Sequence, residues 1–107
     1  MPWIIIDFDD AQVKDGEIVR LANGIKQIVS TVTNIEDVFV YARSARIKVN
    51  VAPIELVVRM SAEKIKDREK LFDDIKSGIV QWKKENSFHY PINLTLQPMD
   101  WKFETGL

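Results

Sequence analysis

Met1-Pro2-Trp3-Ile4-Ile5-Ile6-Asp7-Phe8-Asp9-Asp10 opens the chain, and its reading decides the fold. Trp3 to Phe8 is short, apolar and β-branched, which predicts a strand. Apolar residues at nearly every position predict burial on both faces. Asp9 and Asp10 end it. Pro2 stands just ahead of the strand, where a missing N–H costs nothing. Its nitrogen has two chemical states. With Met1 attached it is a tertiary amide and has no basicity. With Met1 removed it is a secondary amine, and an α-amino group titrates at about 7.7–8.0. Burial disfavours the charged form and lowers that value. Pro2 is therefore a candidate general base.

Working outward, the period changes after the aspartates. Ile18, Ala22, Ile25, Val29 and Val32 form one stripe of an amphipathic helix that begins near Glu17. Gly24 inside it costs about 1 kcal/mol against Ala, which points to close packing. Val38 to Ala42 predicts a second strand. The order then repeats. Pro53 precedes a strand from Ile54 to Met60. Ser61 is a candidate N-cap for a second helix with the stripe Ile65, Phe72, Ile75, Ile79 and Trp82. Asp67, Arg68, Glu69 and Lys70 are read as its solvated face. Asn86 and Ser87 break the helix, and Ile92 to Leu96 alternates as a last strand.

The expected architecture is α+β: two tandem βαβ units forming a mixed four-stranded sheet with both helices on one face. Each crossover is expected to be right-handed. The chain is expected to be one domain, 1–107, with a pseudo-repeat of 2–52 and 53–107. Between the halves, Ile47, Val49 and Val51 alternate with Arg46, Lys48 and Asn50. That pattern predicts a short extra edge strand, blunted by charge or paired with another subunit. Lys102 to Leu107 is expected to make a turn or short hairpin.

Composition narrows the function classes. The chain has 107 residues, 46% hydrophobic and 29% charged, as in a folded globular domain. The formal net charge is −1, so no long-range field gathers nucleic acid or anionic membrane. There is no cysteine, hence no disulfide and no thiolate chemistry. This fits a cytoplasmic protein. No stretch approaches the roughly 20 apolar residues of a membrane span. His89 is the single histidine, so no metal site is expected. The β-α-β-β-α-β order also describes RNA-binding domains, but Ile54 to Met60 lacks the aromatics they need and carries the acidic Glu55.

The doubled unit headed by Pro2 resembles the tautomerase superfamily, the group of 4-oxalocrotonate tautomerase and macrophage migration inhibitory factor. Met1-Pro2, the helix from Glu17, Pro53-Ile54-Glu55-Leu56-Val57-Val58 and Leu94-Thr95-Leu96-Gln97-Pro98-Met99-Asp100-Trp101 carry it. The resemblance implies cofactor-free proton transfer by Pro2 on a small keto/enol carboxylate, in a homotrimer. Family members place a cation early in the second strand or just before it. The matching positions here are Val38-Phe39-Val40 and about Thr33, so neither cation is present. Arg43, Arg46 and Arg59 are candidate substitutes, and Arg59 has the best claim because its strand should lie beside the first. Tyr41, Trp3 and Trp101 are candidate walls for a flat substrate. Backbone N–H groups around Ser61 and Ala62 match a segment that lines the family pocket. The missing cations leave an alternative, a catalytically inactive oligomeric binding or scaffold protein of the same fold.

Overall fold

The computed structural model describes residues 1–107. The element order is β1 (Trp3–Phe8), α1 (Asp15–Thr33), β2 (Phe39–Arg43), β3 (Ile54–Ser61), α2 (Arg68–Glu85) and β4 (Asn93–Met99). A single 3-10 turn, Ala62–Lys64, lies between β3 and α2. The strands form one sheet in the order β2-β1-β3-β4. β1 pairs parallel with β2, and β3 pairs parallel with β4. The two βαβ halves meet where β1 runs antiparallel to β3.

Alternation along the strands sorts the sheet into two faces. Ile4 and Ile6 of β1 and Ile54, Leu56 and Val58 of β3 join Ile18, Leu21, Ile25 and Val29 of α1 and Ile75 and Ile79 of α2 in one buried cluster. Both helices therefore cover the same face, as expected. The helices meet closely at Gly24, where the Trp82 indole occupies the space a Cβ would need. The opposite face is open. It carries Trp3, Phe39 and Tyr41, which remain 37%, 42% and 55% exposed. Ile5 on that face is nonetheless buried. No helix is long and apolar enough to cross a membrane.

Three local expectations are corrected. Residues 46–51 form no strand; they run as an irregular loop. Ile47 and Val49 point to solvent, 77% and 86% exposed, while Lys48 turns inward. Its ammonium donates to Asp9 at 2.9 Å, Asp10 at 2.6 Å and Ser44 at 3.1 Å. The inward member of the alternation is thus a lysine held by carboxylates, and the apolar members have no neighbouring strand. Ser61 does not cap α2. The β3–β4 ladder continues to Ser61, paired with Met99, and α2 starts after Asp67, whose carboxylate accepts the Lys70 N–H at 3.0 Å. The four-residue run Asp67–Lys70 is a helix start, with Asp67 as cap. Residues 102–107 form no hairpin. β4 also runs further than expected, through Pro98, which is tolerated because β4 is an edge strand.

Candidate active site

The antiparallel β1–β3 seam fixes what stands near Pro2. Trp3 of β1 faces Arg59 of β3, so the start of β1 and the end of β3 share one end of the sheet. Pro2 is buried there. Its carbonyl accepts the Phe39 N–H at 3.1 Å, which ties it to the start of β2. Ala62 follows at the same end, in the turn after β3. Strand pairing alone therefore gathers Pro2, Trp3, Arg59 and Ala62.

A cavity of about 530 Å³ opens beside them. Met1 lines it, with Val32, Thr33 and Ile35 from the end of α1 and the loop after it. Met60, Ile65 and Leu71 close the other side, and Lys64 and Lys66 supply its only charged side chains. Thr33, the position expected to match a cation just before the second strand, is thus on the wall. Its hydroxyl is engaged, donating to the Val29 carbonyl at 2.6 Å.

A second cavity, about 310 Å³, lies on the open sheet face between Met1, Trp3, Phe39, Tyr41, Thr105 and Gly106. Met1 is shared by the two. Trp3 meets Tyr41 edge-on at 6.1 Å and stacks on Trp101 at 6.2 Å, a cluster that folds the tail back over β1. The Trp101 indole N–H donates to the buried Ser61 hydroxyl at 2.7 Å.

The cations divide by position. Arg59 is half-buried and donates to the Gln97 side-chain oxygen at 2.9 Å. Glu55 accepts from the Asn93 side-chain amide at 2.8 Å. Arg43 lies at the far end of β1 from Pro2, where it pairs with Asp7 at 2.7 Å. That hydrogen bond to the Asp7 carboxylate raises its pKa. Arg46 is exposed in the loop beyond it. Close by, the Gln12, Lys48 and Ala11 donors hold the Asp9 carboxyl down at about 2. The Asp10 and Asp9 carboxylates raise the pKa of Lys48. This network belongs to the end of the sheet remote from Pro2.

Lys64 and Lys66 were not among the sequence candidates. Placing a helix start at Ser61 puts both on a solvated helical face. One signal points elsewhere: Asp67 followed by Glu69 marks a later helix start.

No family model matches the sequence, and no curated protein matches it. Solved structures do match. Malonate semialdehyde decarboxylase superposes with a TM-score of 0.71 over 98% of this chain and 92% of its own, at 12% identity. A 5-carboxymethyl-2-hydroxymuconate delta-isomerase gives 0.67 over 99% and 89%, at 14% identity. A fused 4-OT wild-type asymmetric trimer gives 0.68 over 97% and 92%, at 9% identity. The chain has the tautomerase-superfamily fold.

Proposed function

We propose that this chain is a cofactor-free tautomerase acting on a small keto/enol carboxylate, with the Pro2 amine as its base once Met1 is removed. One observation carries the proposal. Buried Pro2 follows Met1, and Met1 lines an apolar cavity whose charged side chains are both lysines. Loss of Met1 converts the Pro2 nitrogen from an amide to a secondary amine and vacates space common to both cavities. The amine accepts a proton from one position of the keto–enol pair and returns it to the other. No cofactor is needed for that exchange. Cations nearby stabilise the enolate that forms in between.

The candidate roles follow position. Pro2 is the base. Arg59, Ala62, Trp3, Tyr41 and Trp101 border the same end or the aromatic cavity beside it. Arg43 and Arg46 reach such a site only from a neighbouring subunit. A homotrimer fits the open sheet face, where three exposed aromatics form a patch of the kind that marks an interface. One of the structural neighbours is itself a trimer.

The test is phenylenolpyruvate ketonisation by protein whose first residue is verified by mass spectrometry. Protein starting at Pro2 should turn over, and protein with an acylated Pro2 nitrogen should not. Replacing Pro2 by Ala should cost about 10²–10⁴-fold, the usual worth of a positioned base. Absence of turnover from verified Pro2-terminal protein would leave the second reading, a non-catalytic oligomer. The exposed aromatic face is the observation that favours that reading.

A further inference from the structure

The Met1–Pro2 bond, on which the chemistry of the Pro2 nitrogen turns, is built into the sheet. Pro2 is buried, so the nitrogen side of that bond is shielded. The Pro2 carbonyl accepts the Phe39 N–H at 3.1 Å. The next residue, Trp3, already belongs to β1 and is paired on both sides, with Phe39 of β2 and Arg59 of β3. Trp101 stacks on the Trp3 indole at 6.2 Å, and Ile4 beyond it is fully buried. Met1 is itself half-buried and lines both cavities at this end. A peptidase cuts only where it can draw the flanking residues out of the fold. Cleavage of a native protein therefore follows the population of its locally opened state. Freeing Pro2 means pulling the start of a central strand away from two neighbours.

We propose that the fold locks the Met1–Pro2 bond: hydrolysis by an aminopeptidase is open to the nascent chain and closed to the folded protein. The step itself is ordinary peptide hydrolysis. Water adds across the bond, its hydroxyl goes to the Met1 carbonyl carbon, and the Pro2 nitrogen leaves with the proton as a secondary amine. The order of the strands sets when this happens. β1 is made first and has nothing to pair with until β2 and β3 follow. At about 5–20 residues per second, β3 trails β1 by roughly 3–10 s. Met1 is removed in that interval or it stays. The protein then exists as two populations, with Pro2 an amide in one and an amine in the other, that do not interconvert once folded. The inference rests on the proposed function only for its consequence, that the active fraction is decided during synthesis.

The experiment uses full-length protein that retains Met1, made while the host's methionine aminopeptidase is inhibited. The native protein and a synthetic peptide of residues 1–10 are each given purified methionine aminopeptidase, and loss of methionine is followed by mass spectrometry. The peptide reports the unprotected rate. Native protein should be processed at least about 100-fold more slowly, as for a bond exposed only by local opening. Phe39→Pro removes the N–H that holds the Pro2 carbonyl, at the first residue of an edge strand, where proline is tolerated. It leaves the residues next to the scissile bond unchanged, and processing should speed up about 5-fold, the scale of one net hydrogen bond. Circular dichroism confirms that the variant folds, and Trp101→Ala, which removes the stack on Trp3, is the second probe. Equal rates for native protein and peptide would overturn the lock, as would folded variants both processed at the wild-type rate. Protection of the native protein alongside an inactive Pro2-terminal protein keeps the lock and rejects the tautomerase reading. Turnover by Pro2-terminal protein, with free trimming of the native Met1 form, does the reverse.

Discussion

The Cβ that Gly24 lacks would collide with the Trp82 indole nitrogen and stand 2.5 Å from the adjoining ring carbon. The indole is itself held by Phe88, at 5.2 Å between ring centroids. It has little room to yield. Gly24→Ala gains about 1 kcal/mol of helix propensity and incurs an overpacking cost of about 1–3 kcal/mol, so a net loss of up to about 2 kcal/mol is expected. Gly16 is the internal control, because a Cβ there meets nothing within 4 Å. Gly16→Ala should be neutral or slightly stabilising. Thermal melting of the two variants checks both signs.

Ser61 is buried, and its hydroxyl receives the Trp101 indole N–H. Ser61→Ala removes the acceptor and leaves that donor unpaired. A loss of about 1 kcal/mol is expected, the net worth of one such bond. Chemical denaturation should show a lower midpoint with an unchanged slope. An unchanged midpoint would mean that the indole finds water instead.

The charge network that anchors residues 44–48 has a defined pH window. Asp9 is depressed to about 2 from an ordinary 3.8, so its stabilising contribution is present above the ordinary value and disappears as pH falls through the lower one. Lys48 is raised above 10.5, so its contribution is present below that value and disappears as pH climbs past the raised one. Asp9→Asn should therefore destabilise the protein at neutral pH. The gap to wild type should close as pH falls from about 4 towards 2. Melting curves across that range decide it.

If the Pro2 amine is the base, its protonation should govern the rate. A buried amine titrates below the ordinary α-amino range of about 7.7–8.0. kcat/KM for phenylenolpyruvate should rise with pH and level off beyond an inflection under that range. An inflection above it, or a flat profile, would remove Pro2 from the chemistry.

The open sheet face offers a separate check on assembly. Tyr41 is 55% exposed, beside Trp3. Tyr41→Glu places a charge beside Trp3 and Phe39 in the exposed aromatic patch. If that patch is an interface, light scattering should show a trimer for the wild type and a monomer for the variant. A wild-type monomer at micromolar concentration would end the assembly proposal.

The skeleton of the fold was legible where periodicity was strong. β1 and β3 announce themselves by β-branched runs, and α1 by a stripe of five apolar residues. Gly24 was legible as a close approach, though its partner Trp82 was not. Residues 46–51 misled because period two says that alternate side chains face opposite ways, and says nothing about whether a strand lies alongside. Lys48 faces inward for Asp9 and Asp10, a tertiary cause. The cations of the cavity were missed for a related reason. Placing the helix start six residues early, at Ser61 in place of Asp67, turns Lys64 and Lys66 from cavity wall into ordinary surface. Arg59 was legible as a candidate, but only the antiparallel seam decided which end of the sheet it occupies.

The Trp3–Trp101 stack gives the molecule an optical handle. Two indoles with centroids 6.2 Å apart and planes inclined by 26° are close enough for their electronic transitions to couple, whereas Trp82 is packed between the helices beside Phe88. Near-ultraviolet circular dichroism and emission spectra would therefore carry a contribution from the start of β1 and the chain's tail. Events at that end of the sheet could be followed without a label.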